Sequence, residues 1–159
     1  MPPKKITMQP TVDQAAGAVP AARPVGTAPD HLAVRPGEDP WTSEEVALAS
    51  AGLEEEAGRL RAEILAAEEA ITGLMRDSGE GSGDDQADAG SKNITREHEL
   101  ALTGNARDML LQVERALERL RTGTYGLCET CGDAIGKARM LAFPRATLCV
   151  ECKQRQERH

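Results

Sequence analysis

Aromatic side chains are what this sequence has least of. Trp41, Tyr125 and Phe143 are the only ones among 159 residues, too few for the stacked ring platforms on which proteins hold single-stranded nucleic acid. No run of about 18 apolar residues occurs, which argues against a membrane span. Lys4 and Lys5 are followed by no hydrophobic stretch, so the beginning of the chain does not read as a secretory signal. A net charge of -7 makes generic binding to duplex DNA a poor default. Histidine is limited to His31, His98 and His159, too scattered for a metal site. Proline is confined almost wholly to one end: all but Pro144 of the nine lie between Pro2 and Pro40. These absences together predict a cytoplasmic protein that does not read base sequence.

Cysteine is also scarce, but its four copies are arranged as two pairs, Cys128-x-x-Cys131 and Cys149-x-x-Cys152. Each pair can offer two thiolates to one ion, and residues 132–148 are long enough to bring the pairs together into a tetrahedron. A structural zinc ion is the first reading. A redox pair, labile disulfides or another metal are the alternatives. Without export, paired cysteines suit zinc better than disulfides. A shell of four thiolates leaves no coordination position open for chemistry, so no enzyme activity is expected of it.

The proline-rich stretch, residues 1–41, has few large apolar groups to bury and is expected to be a disordered tail. After Trp41 the pattern changes. Thr42 followed by Glu45 has the form of a capping box at a helix start. Val46, Leu53, Leu60, Ala67 and Leu74 recur every seven residues, with Ala57, Ile64 and Ile71 four residues after their partners. A second stripe follows from about Ser91 to Arg121, built of Leu102, Ala106, Met109, Val113, Ala116 and Leu120. The fold expected is predominantly α, a long antiparallel coiled-coil hairpin over residues 42–124. Each helix would have about 30–35 residues and measure about 45–52 Å. Pairing within the chain predicts a monomer, although two helices give only a thin core and assembly between chains is the other solution.

Between the stripes lies the glycine-rich and acidic segment 77–90, with Glu80, Asp84, Asp85 and Asp88 near the turn of the hairpin. Surplus acid on a soluble loop is the plain account of it. An acidic probe carried far from the cysteines on a stiff stalk is the functional one. The ligand pattern of a calcium-binding EF-hand loop is missing.

Residues 125–159 form the second unit, a small zinc finger with a C-terminal helix. Gly132 relieves crowding behind the first cysteine pair and Pro144 restricts the approach to the second. Ile135, Leu141, Phe143 and Leu148 are expected to pack around the metal. After the first pair, Lys137, Arg139, Arg145, Lys153, Arg155 and Arg158 outnumber Asp133, Glu151 and Glu157. Simple solvation accounts for many such arginines and no single one is diagnostic; together they could orient the protein on an acidic partner or help bind a phosphate-rich effector.

Tyr125-Gly-Leu-Cys-Glu-Thr-Cys-Gly-Asp-Ala-Ile-Gly and Arg139-Met-Leu-Ala-Phe-Pro-Arg-Ala-Thr-Leu-Cys-Val-Glu-Cys-Lys, preceded by the two helical stripes, resemble the DksA/TraR family of bacterial RNA-polymerase-binding regulators. The resemblance covers most of residues 42–155. It implies a factor that regulates transcription initiation from the secondary channel of RNA polymerase. The coil tip would enter the channel while the zinc end and neighbouring helix touch its rim, without sequence-specific DNA binding. The family tip commonly reads Asp-x-x-Asp-x-Ala. Asp85 and Asp88 match its two aspartates, and Gly90 stands where the last alanine would be, removing a small apolar contact and adding backbone freedom. Arg139, Arg145 and Lys153 are the basic candidates for partner or effector contacts. Family members can bind guanosine tetraphosphate at the polymerase interface. Lys153 looks like one of the basic positions involved, but Gln112 and Phe143 stand at two others. The resemblance thus implies polymerase binding with a weak nucleotide response. The competing functions are a zinc-stabilised scaffold with no transcriptional activity and a transcript-cleavage-stimulating factor of the Gre type.

Overall fold

The Thr42 hydroxyl accepts the backbone N–H of Glu45 at 3.1 Å, while the Glu45 carboxylate accepts the N–H of Thr42 at 3.0 Å. This is the reciprocal capping box expected from the sequence, and it starts the longest helix of the protein. The structure, a computed structural model, describes residues 29–80 and 86–159. Helix α1 spans Ser43–Glu80, α2 Gln86–Thr122, α3 Lys137–Ala142 and α4 Val150–Glu157, preceded by a 3-10 turn at Pro29–His31. The protein is predominantly helical, and no described helix is long and apolar enough to cross a membrane.

Helices α1 and α2 lie side by side. Arg61 pairs with Glu114 and Glu68 with Arg107, so the chain runs in opposite senses along the two. These ion pairs are about half exposed and add little stability. What holds the helices is the stripe between them. Leu53, Ala57 and Leu60 of α1 and Ala106, Val113, Ala116 and Leu120 of α2 are buried, with Val46, Ile64 and Met109 packed against them.

Three features depart from the sequence expectation. The helices have 38 and 37 residues, about 57 and 55 Å at the usual rise. They extend into the segment 77–90 that composition suggested was a loop. Glycine lowers helix propensity by only about 1 kcal/mol per residue, a cost that continuation of a long helix can absorb. The expected Asp84 and Asp85 fall outside the described residues, as does the tail up to residue 28.

Secondly, Leu102 is not in the seam. It is 49% exposed, and its neighbour Thr103 is buried instead, the hydroxyl satisfied by donation to the carbonyl of Glu99 at 2.7 Å. Opposite this point α1 offers Ala66, Ala67 and Ala70, which with Leu102, Thr103 and Ala106 line a gap of about 250 Å³. Leucine has too little apolar surface facing it there to be covered.

Thirdly, residues 29–41 are not a disordered tail. Leu32 and Trp41 are buried with Tyr125, Ile135 and Met140. The ring of Trp41 meets that of Tyr125 edge-on, with centroids 5.8 Å apart. Its indole N–H donates to the Ala33 carbonyl at 3.2 Å. A segment without its own hydrophobic periodicity thus folds by lying across the cysteine-containing unit.

A four-cysteine centre and the basic groove beside it

The first cysteine pair sits on a tight turn. Leu127 and Ala134 form an isolated antiparallel bridge, and the Cys128 N–H donates to the Asp133 carbonyl at 2.8 Å. Gly132, at φ 78°, supplies the left-handed residue that reverses the chain behind Cys131. The second pair is set by a helix start. Cys149 is the N-cap of α4, its sulfur accepting the N–H of Cys152 at 3.4 Å. One turn and one helix end thereby aim all four sulfurs at the same point.

Their ligand atoms lie within 4.8 Å of one another, with Cys131 Sγ and Cys149 Sγ 3.9 Å apart. A tetrahedral zinc with bonds of about 2.3 Å requires sulfur–sulfur edges of about 3.8 Å, so the donor set fits that ion in number, type and spacing. All four are free thiols. Cys128, Cys149 and Cys152 are buried and Cys131 is exposed.

The electrostatics indicate what the cluster needs. Burial opposes ionisation of Cys128, but the N–H groups of Cys131, Cys149 and Thr130 point at its sulfur and bring its pKa down to about 6. At Cys131 the N–H of Asp133 favours the thiolate. Local desolvation of its sulfur and the adjacent sulfurs of Cys128, Cys152 and Cys149 outweigh it and push the pKa up to about 12. Burial also raises Cys152, with Cys149 and Cys128 adding to the effect. Four thiolates crowded together repel one another, and a divalent cation at their centre removes that penalty. Arg155, named in the sequence only as one of the basic residues of this end, donates to Cys152 Sγ at 3.2 Å. Its spacing of three residues along α4 was the available signal.

Arg139, Arg145 and Lys153 are brought together. With Gln112, Arg115 and Gln156 they line a groove of about 400 Å³ between α2 and the cysteine unit. Arg139 lies 5.5 Å from the ring centroid of Phe143 and donates to the Leu148 carbonyl at 3.4 Å. Arg145 reaches Gln112 at 3.5 Å and Glu56 at 3.7 Å. Lys153 faces Glu157 at 3.6 Å. Arg115, one helical turn beyond Gln112, is a groove cation that the sequence reading missed, although its spacing of three marked it as lying on the same face. Ile135 is buried and Leu148 half-buried, as packing around the centre requires, but Leu141 and Phe143 are exposed, at 49% and 60%. Those two were expected in the core. The unit is too small to cover them.

Asp88 and Gly90 lie at the other end of α2, exposed in its first turns. Asp88 precedes Thr122 by about 50 Å of helix. Asp85 is outside the described residues, so the two aspartates are not seen together.

Residues 123–158 match the model of the prokaryotic dksA/traR C4-type zinc finger. The chain is similar to the RNA polymerase-binding transcription factor DksA of Caulobacter vibrioides, at 40% identity over 74 residues, 46% of this chain and 52% of that protein. The protein of the same description from Escherichia coli K12 is 36% identical over 55 residues, 35% of this chain and 36% of that one. The match thus spans about half, or less, of these curated relatives. Among solved structures, transcription factor DksA2 from Pseudomonas aeruginosa superposes with a TM-score of 0.61 at 32% identity, covering 73% of this chain and 85% of that one.

Proposed function

The chain belongs to the DksA/TraR family, and from that premise we propose that it binds bacterial RNA polymerase and regulates transcription initiation from the secondary channel. The observation that carries this reading is the separation of two chemically different ends by one helical pair. A basic groove and four converging thiols sit beside the last third of α2, and Asp88 lies about 36–40 Å of helix before the groove residues Gln112 and Arg115. In this reading the two long helices supercoil as an antiparallel hairpin and act as an arm. Asp85 and Asp88 are its working tip, and Gly90 alters the contact that an alanine would make. Cys128, Cys131, Cys149 and Cys152 hold one zinc ion, which neutralises the crowded thiolates and folds the unit on which the arm stands. Arg139, Arg145 and Lys153, joined by Arg115, face acidic groups at the channel rim.

Guanosine tetraphosphate is the effector chemistry that the groove suits. Gln112 brings no charge to it, and Arg139 is partly occupied by the Leu148 carbonyl, so a weak response is assigned. The factor is monomeric when free and cytoplasmic, and it assigns itself no reaction. Purified cognate polymerase tests the reading: the protein should co-sediment with it and compete with a Gre-type factor for it, without stimulating transcript cleavage. Cleavage stimulation would move the assignment to the Gre class, and absence of binding would leave a zinc-stabilised scaffold.

A further inference from the structure

The direct polar contacts of the cysteine unit with the helical pair are mostly to α2. Besides the covalent link after α2, Arg119 donates to the Leu127 carbonyl and Arg145 to Gln112 at 3.5 Å, with ion pairs Arg145–Glu56 at 3.7 Å and Arg115–Glu129 at 3.9 Å. Both ion pairs are long, and the second is largely exposed. Of the helices, only α1 and α2 touch one another extensively. Residues 29–45 supply what these contacts lack.

The segment runs in a channel formed where two glycines adopt positive φ. Gly126, at 87°, would bring a Cβ to 3.4 Å from the Ala33 carbonyl oxygen, and Gly136, at 113°, to 3.0 Å from Arg35 Cδ. Leu32 and Trp41 fill the space beneath. Glu38 then reaches across. Both of its carboxylate oxygens accept the backbone N–H of Lys137 at 3.0 Å, and one also accepts the N–H of Arg35 at 2.9 Å. Helix α3 has no side-chain cap of its own, since Gly136 stands at its N-cap. A carboxylate from 99 residues earlier in the chain takes that place. These N–H donors, that of Lys137 above all, hold the Glu38 carboxyl below its usual range.

Lys137 returns the connection to α1. Its ammonium lies 2.7 Å from Glu45, donates to the Pro40 carbonyl at 3.1 Å and sits 5.8 Å from the centroid of the Trp41 ring. The Lys137 side chain is 13% exposed and that of Glu45 29%, and at 2.7 Å this pair is closer than Arg145–Glu56, which is 30% and 27% exposed, and better shielded than Arg115–Glu129, at 64% and 41%. Glu45 is also half of the capping box that begins α1. One residue therefore ties the start of α3 to the start of α1 through a single charge.

We propose that residues 29–45 are a clamp that fixes the cysteine unit's orientation on the helical pair, with Glu38 and Lys137 as positioning residues for the direction of the arm. The consequence for the arm rests on the function proposed above; the clamp itself does not.

The test uses the full zinc-loaded chain. In a Glu38→Ala/Lys137→Met double variant, the amide of residue 137 should exchange at least about ten times faster, because its acceptor is gone. Nitrogen-15 relaxation should give the cysteine unit a shorter rotational correlation time than the helices, where the wild type gives one common value. Zinc content of one per chain and unchanged helicity show that both parts remain folded. The milder Glu38→Ala single variant, which removes the acceptor and keeps the Lys137 charge, gives the same exchange readout should the double variant not fold. Common tumbling and unchanged exchange would overturn the clamp. Separate tumbling with wild-type promoter control would overturn its positioning role. A wild-type protein that exerts no promoter control would sink the proposed function and leave the relaxation result standing.

Discussion

Replacing Tyr125 by phenylalanine should stabilise the protein. Tyr125 is 1% exposed, its ring packs edge-on against Trp41, and its hydroxyl is buried without a hydrogen-bond partner among the described residues. Leaving such a hydroxyl unpaired costs about 1–3 kcal/mol. The Tyr125→Phe change keeps the ring contacts and removes the unpaired group, so a gain of about 1 kcal/mol is expected, about 2–4 °C in melting temperature for a chain of this size. Tyr125→Ala, which deletes the ring, should instead cost about 3–5 kcal/mol.

Alkaline pH separates the same two chains. Burial pushes the Tyr125 pKa up to about 12 from 10.0, against a smaller lowering effect of Arg119. A phenol whose folded-state pKa is raised favours the fold in its neutral form. That contribution is whole below about pH 10 and is lost as pH rises through about 12. Wild type should therefore lose stability relative to Tyr125→Phe across that window, by an amount on the order of 2 kcal/mol. Urea titration with zinc present, followed by the emission of Trp41, the only tryptophan, measures both effects. A Tyr125→Phe midpoint lower than wild type at neutral pH would refute the reasoning, since it would mean that the hydroxyl has a partner.

Two other perturbations follow from the geometry. Cys149→Ser removes a ligand and the N-cap sulfur of α4 together, so metal titration should fall from one zinc per chain to near none, and nuclear magnetic resonance should show residues 125–159 losing their dispersed amide signals. Structural zinc sites contribute about 10–16 kcal/mol to such small units. Gly58 and Gly104 have open space where a Cβ would go, so Gly58→Ala and Gly104→Ala should each add about 0.5–1 kcal/mol, read from thermal melts by circular dichroism.

Local rules carried the sequence reading where the chain obeys them. Cysteine spacing predicted the cluster because each pair closes its own small turn. Thr42 and Glu45 predicted the start of α1 because a capping box is complete within four residues. The buried stripe from Leu53 to Leu60 and from Ala106 to Leu120 follows helical periodicity. Elsewhere the deciding contact is distant. Trp41 and Leu32 are isolated apolar residues among prolines, and only the folded cysteine unit gives them a surface to cover. Glu38 acts on Lys137, and no short-range pattern links the two. Leu102 obeyed the heptad but met alanines. Arg115 escaped notice because the groove it lines exists only once α2 and the cysteine unit are together.

The central claim is that the acidic end of the arm regulates initiation from inside RNA polymerase. The most direct measurement compares wild type with an Asp85→Asn/Asp88→Asn double variant on purified cognate polymerase, scoring initiation at several promoters while binding is monitored separately. The account predicts retained binding with promoter control lost. Promoter control unchanged in the double variant, with equal binding, would contradict it.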